Sequence, residues 1–373
     1  MISRDNEILE KYSEDSYEKG GGCCCCKTWK KCLKWSLIGF FTFLLFLFIL
    51  IWVIFPIIFM CTVSIQRFLI FPAFKEPSNP EYDNFEKYGA TGVRNIYVTL
   101  RDLDDNSLIS LGVWHVLPEK LINESLENQD FSFDDALNST EHDVIIYCHG
   151  NSGTRIHTYP TYVVLREFFH VIAMDYRGYG DSSPNKPSEK SIVNDLIQFY
   201  QWVRSKTPAK IYVWGHSLGS SLSTHLVMKL NEMDIVPTGL ALEAPFTTIR
   251  DEIALHPLGK VFAWLLYFDA TIRDPLERNE FLFKTTHYIL NVTCPVMIVH
   301  AEDDIIIPSS LGEKLYNSAK ENNHLQSSQD MLTLHLIDAK YKLGHMKVTQ
   351  YEKMPEYIEK WKEVCDKHNS GKG

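Results

Sequence analysis

The chain has 373 residues, 45% of them hydrophobic and 23% charged, with a formal net charge of −10. That length admits one large domain or two modest ones, and ordinary hydrophobic content implies that most of it folds. The acidic balance, with no basic stripe, excludes nucleic acid as a partner, because phosphate recognition needs a positive face.

Residues 1–34 read as a cytosolic tail that contains GGGCCCCKTWKKC near its end, which holds Cys23, Cys24, Cys25, Cys26 and Cys32. Four adjacent cysteines cannot all reach one tetrahedral zinc, so no metal is expected, and disulfides do not suit a cytosolic face. Juxtamembrane cysteines are instead candidates for S-acylation. Residues 35–66 carry no charge, a run longer than the roughly 20 apolar residues a membrane-spanning helix needs. A cleaved signal peptide is excluded by the late start and length of the run. Lys27, Lys30, Lys31 and Lys34 crowd its N-terminal side, which places the N-terminus in the cytosol in a single-pass arrangement, with residues 67–373 across the membrane. Three sequons would then be glycosylatable, at Asn123, Asn138 and Asn291.

Beyond the span, VRNIYVTL and LISLGVWHVL predict an antiparallel pair at a sheet edge. Residues 119–143 are polar, contain two of the sequons and read as a long loop. VIIYCHG, HVIAMDY, IYVWGHS, GLALEAPF, VMIVHAEDD and LTLHLIDA follow as near-continuous apolar runs, alternating with helix-like stretches such as SIVNDLIQFYQWVR and SLSTHLVMKLNEM. Such alternation predicts an α/β domain built on a doubly wound, mostly parallel sheet. Cys148 and Cys294 fall in the apolar runs and read as buried thiols. Between Phe246 and Val292 the sequence exceeds a minimal sheet; its apolar stretch HPLGKVFAWLLYFDA reads as a small cap, with core packing the alternative.

Gly215-His216-Ser217-Leu218-Gly219 follows a strand and precedes a helix, the context required of a G-x-S-x-G nucleophile elbow. A serine hydroxyl needs a base, and the base an orienting acid, in the chain order Ser, acid, His. Glu302, Asp303 and Asp304 end the strand VMIVH, and Gly344-His345 follows the last strand. Spacing does not separate Asp303 from its neighbours, and Glu243 is a remoter acid. His345 leads His335, which lies within a strand, and His324, which lies in a polar loop. The oxyanion of an acyl-transfer intermediate would be met by the backbone N–H of Leu218 and, from the loop His149-Gly150-Asn151, by that of Asn151. Asp175 reads as turn scaffold. Arg155 and His157 could reach an anionic headgroup. No metal or organic cofactor is called for.

These segments resemble the α/β-hydrolase superfamily. More closely, YCHGNSGTR, MDYRGYGDS, KPSE, VWGHSLG, LEAPFTTIRDE, HPL, CPVMIVHAEDD and GHMK, between Tyr147 and Lys347, resemble the membrane-anchored lysophosphatidylserine lipase and monoacylglycerol lipase branch, subfamily twelve. The resemblance implies Ser217 as nucleophile, His345 as base and, of the adjacent acids, Asp304. It also implies a type II protein of the endoplasmic reticulum membrane whose lumenal domain hydrolyses single-chain lipids in a bilayer. A cytosolic acyl-protein thioesterase, which would attach through the cysteine cluster, is the competing enzyme; a lipid-binding pseudohydrolase is the non-enzymatic reading.

Overall fold

The computed structural model describes residues 24–72, 80–328 and 330–370. The chain divides into two compact units, Met1–Ile58 and Phe59–Gly373.

In the first unit, helix α1 (Cys24–Ile49) runs into a wider turn, Leu50–Ile54; helix α2 (Phe55–Cys61) begins there and ends in the second unit. The apolar part, Lys31–Cys61, is 31 residues, about 46 Å at ~1.5 Å per residue, long enough to cross a membrane. Pro56 does not end the helix. It follows the wide turn, where loosened spacing absorbs the missing N–H and the clash of the ring with the preceding turn. Cys23 lies outside the described residues, and Cys24, Cys25 and Cys26 are described only as helix backbone; Cys32 is exposed.

The second unit is built on one eight-stranded sheet in the order β1-β2-β4-β3-β5-β6-β7-β8. Strands β1 (Val93–Arg101) and β2 (Leu108–Val116) form the expected antiparallel edge, and β2 pairs antiparallel with β4 (Phe169–Met174). From β4 through β3 (Asp143–Cys148), β5 (Ile211–His216), β6 (Gly239–Glu243), β7 (Val296–Ala301) and β8 (Leu332–Ile337), every pairing is parallel. The middle strands are buried along almost their whole length. That is why their sequences are continuous apolar runs while β1 alternates, since only strands covered on both faces exclude polar residues throughout. Helix α3 (Val63–Ile70) precedes the sheet; α4 (Tyr159–Leu165), α5 (Glu189–Lys206), α6 (Leu218–Asn231), α7 (Ile249–Leu255), α8 (Ser309–Ala319) and α9 (Met354–Ser370) alternate with its strands. The thiols of Cys148 and Cys294 are buried.

Register brings Cys148 beside Gly215, His216 beside Glu243, and Ala301 beside Ile337. The carboxyl ends of β3, β5, β7 and β8 therefore share one edge, the end at which α/β sheets collect their chemistry.

One segment departs from its expectation. Residues 119–143 are not a long loop: short helices form at Ile122–Glu127 and Phe133–Leu137. Ser132 caps the second through Asp135 N, and the Arg94 guanidinium lies over the Phe133 ring while bonding Asp134 at 2.7 Å. Local capping and one buried anchor, Leu137, suffice for single turns that a polar composition hides. The excursion after β6 is a string of short helices whose apolar stretch is divided: Leu258, Trp264 and Leu266 are exposed, while Leu265 and Phe268 are buried.

Candidate active site

Ser217 joins β5 to α6 with φ 54° and ψ −120°, a left-handed conformation that costs a non-glycine residue about 1–3 kcal/mol. The turn is held by Ser217 N–H donating to Glu243 O at 2.9 Å and by Ser220, whose N–H and Oγ–H both donate to Ser217 O. Both motif glycines are required by space. A Cβ on Gly215 would lie 2.2 Å from Ser223 Oγ, and one on Gly219 would lie 2.0 Å from Cys148 O. Without side chains there, α6 can press against the end of β3, which presents the serine at the sheet edge.

His345 Nε2 lies 2.9 Å from Ser217 Oγ, and His345 Nδ1 lies 2.7 Å from Asp304 Oδ2. Since a carboxylate only accepts, Nδ1 carries the ring proton and Nε2 presents its lone pair to the serine hydroxyl. Burial is the main force holding His345 below the ordinary imidazole range; the bond to Asp304 opposes it, and nearby His216 reinforces it. The ring is thus kept in the neutral, proton-accepting form. Burial alone would raise Asp304, but hydrogen bonds from His300 and His345 hold its carboxyl well below the usual carboxylate range. Its other oxygen accepts from Ile306 and Ile307 N–H, each at 2.9 Å.

The adjacent acids divide the work. Asp303 accepts Gly344 N–H with both oxygens, at 3.0 and 3.1 Å, and so fixes the loop that carries His345. Gly344 has φ 54° there, a conformation suited to glycine. Glu243 is buried and accepts from Trp214 Nε1 at 2.9 Å. The His335 ring stacks on Tyr357, and His324 is exposed in its loop.

Two supporting histidines escaped the sequence reading. His216 Nε2 donates to His345 O at 2.9 Å, tying the elbow to the histidine loop. His300 Nε2 donates to Ile307 O at 2.9 Å and lies 3.3 Å from Asp304 Oδ2. Each is adjacent to a motif, in GHS and in HAEDD, which was the available signal.

The loop after β3 crosses the serine closely: a Cβ on Gly150 would stand 3.1 Å from His216 Nδ1 and 3.3 Å from Ser217 Cβ. His149 pins it, donating from Nδ1 to Gly150 O at 2.7 Å while its ring packs on Tyr176. Leu218 opens α6, so its N–H is one of the first-turn donors without an intrahelical acceptor. Asn151 follows Gly150, half-buried at the same edge.

Arg155 corrects the sequence reading. It is fully buried, its Nη1 2.5 Å from Asp175 and 2.8 Å from Asp181, with Tyr82 stacked 3.6 Å from the guanidinium. A cation enclosed by two carboxylates and a ring has no face for a headgroup; it braces the turn that Asp175 begins. His157 is exposed and lies 3.3 Å from Thr154 Oγ1. The three sequon asparagines are exposed.

A family model described as serine aminopeptidase, S33, matches residues 140–274. Lysophosphatidylserine lipase ABHD12 of Danio rerio is 36% identical over 287 residues, covering 74% of this chain and 73% of that protein. The protein of the same name from Xenopus tropicalis is 37% identical, covering 67% of this chain and 62% of that one. Human Protein ABHD12B is 32% identical over 216 residues, 57% of this chain and 59% of its own length. Among solved structures, an esterase of Pyrococcus furiosus superposes with a TM-score of 0.51 at 17% identity, over 78% of this chain and 98% of that one. The fold is that of the α/β-hydrolases.

Proposed function

We propose, from the premise that the chain belongs to the lysophosphatidylserine lipase ABHD12 family, that it is a membrane-anchored serine hydrolase of single-chain lipid esters, lysophosphatidylserine and monoacylglycerols. The observation that carries this reading is the unbroken hydrogen-bonded chain Ser217–His345–Asp304 at the carboxyl edge of the sheet.

Ser217 Oγ attacks the ester carbonyl as His345 Nε2 takes its proton, with Asp304 stabilising the imidazolium. The N–H groups of Leu218 and Asn151 meet the charge on the tetrahedral oxygen. Collapse expels the glycerol-containing alcohol, which receives the proton from His345 and leaves the acyl group on Ser217. Water, deprotonated by the same ring, then frees the fatty acid. An apolar helix in the same chain keeps the enzyme at the bilayer in which such substrates reside.

Lysines on the N-terminal flank of the span support a cytosolic N-terminus and a lumenal domain in the endoplasmic reticulum membrane. Asn123, Asn138 and Asn291 are then glycan acceptors, and Cys23 to Cys26 and Cys32 are acylation sites on the cytosolic face. The thioesterase alternative is not favoured, since the relatives matched over most of their length are named as lipid lipases.

The test is turnover of a lysophospholipid and monoacylglycerol panel by wild-type and Ser217→Ala protein in membranes, with fluorophosphonate labelling in parallel. Loss of label and of turnover together is expected. Retained labelling of the variant overturns the nucleophile, and wild-type inactivity on every lipid overturns the substrate class. Protease added to sealed microsomes should spare the domain, and its digestion would refute the lumenal placement.

A further inference from the structure

The segment from Ile253 to Phe268 holds one formally charged residue, Lys260, among mostly apolar ones. Leu258 is 66% exposed, Trp264 61%, and Leu266 is fully exposed, while Leu265 and Phe268 beside it are buried and anchor the loop. Apolar groups concentrated in one loop of an otherwise ordinary surface mark a contact with something apolar.

Much of the loop's backbone closes on itself: Lys260 N is met by His256 O, Phe262 and Ala263 N by Gly259 O, Leu265 N by Phe262 O, and Phe268 N by Leu265 O. The Trp264 indole N–H donates to Val261 O at 2.9 Å. A loop for water needs no such closure, because water satisfies open groups; in hydrocarbon each open group costs several kcal/mol. The loop also packs closely on itself at Gly259, where a Cβ would stand 1.5 Å from Ile253 O. Burial favours the uncharged forms of two ionisable neighbours, pushing Glu252 up to about 8 and lowering His256.

Its place in the fold names the occupant. The excursion leaves the carboxyl end of β6, the edge that carries Ser217. Its later part is bound to the residues that follow the apolar helix. Asn279 Nδ2 donates to Gln66 Oε1 at 2.7 Å, Arg67 lies over the Phe281 ring, and Phe71 packs on Phe281 and Phe283. The apolar helix reaches Cys61, and α3 between is eight residues, about 12 Å. The base of the excursion is therefore tethered within one short helix of the point where the span ends.

We propose that the loop bearing Leu258, Trp264 and Leu266 inserts into the surface of the same bilayer that the N-terminal helix crosses, holding the active-site edge against the lipid. Its indole sits at the headgroup level, and Lys260 reaches to the phosphates. The inference rests on the membrane-anchored reading above, and deepens it: a single-chain lipid would pass from the leaflet to Ser217 without crossing bulk water.

The test uses the full chain reconstituted in phosphatidylcholine vesicles made with or without brominated acyl chains. Subtracting the emission of Trp264→Phe from that of the wild type isolates Trp264, and bromolipid should quench it. The Trp264→Glu/Leu266→Glu double variant should raise the apparent KM for vesicle-borne monoacylglycerol by about tenfold, while turnover of a short water-soluble ester is unchanged. A Trp264 signal indifferent to bromolipid overturns the proposal, including in favour of a second copy or the protein's own surface as occupant. Quenching with no lipid turnover by the wild type keeps the contact and sinks the substrate assignment, whereas turnover without quenching sinks the contact alone. If the double variant also loses the soluble ester, the quenching comparison decides.

Discussion

His300 Nε2 and His345 Nδ1 converge on one oxygen, Asp304 Oδ2, at 3.3 and 2.7 Å. The carboxylate is thus positioned from behind by one histidine while it orients the other. Replacing His300 by Phe removes that support without touching substrate, and its outward ring nitrogen serves no bond among the described residues. The expected result is a kcat lowered about tenfold with little change in KM. Steady-state kinetics on a soluble ester checks it, and an equal loss through KM would contradict the positioning role.

Asp303 and Asp304 give a sharper contrast because they are neighbours. Asp304→Asn should lower kcat by about four orders of magnitude through loss of the correct imidazole tautomer. Asp303→Asn weakens only the anchor of Gly344 N–H and should cost about tenfold. Kinetics of the two variants side by side checks the assignment; equal losses would refute it.

The pH profile has a definite sign. His345 must be unprotonated to accept from Ser217, and its pKa is depressed chiefly by burial, with His216 adding repulsion against the pull of Asp304. Activity should therefore be full above the depressed value and fall only as pH drops through it. The acid limb of kcat/KM should have its midpoint below the ordinary ~6.5. His216→Gln removes the repulsion and should move that limb upward, as a pH–rate series would record.

Arg155 matters to folding. Deleting one partner of a buried ion pair leaves the other uncompensated, at about 3–5 kcal/mol. Arg155→Met should therefore lower the thermal unfolding midpoint by several degrees, while folded protein keeps its preference between anionic and neutral lipid headgroups. A changed preference at unchanged stability would restore Arg155 to the substrate.

Much was legible from local pattern alone. The apolar helix, the buried parallel strands, the elbow and the order of serine, acid and histidine are written in residue periodicity and in residues adjacent along the chain. Burial on two faces demands continuous apolar runs, and a sharp strand-to-helix turn demands Gly215 and Gly219. What only the tertiary structure decided concerns where side chains point. Asp303 and Asp304 differ by one position, yet one side chain meets Gly344 N–H and the other His345. Arg155 looked free because its carboxylates lie 20 and 26 residues away in sequence. Leu258, Trp264 and Leu266 lie in a stretch that reads as a cap with core packing the alternative, since composition records how apolar a segment is and folding alone determines whether protein covers it.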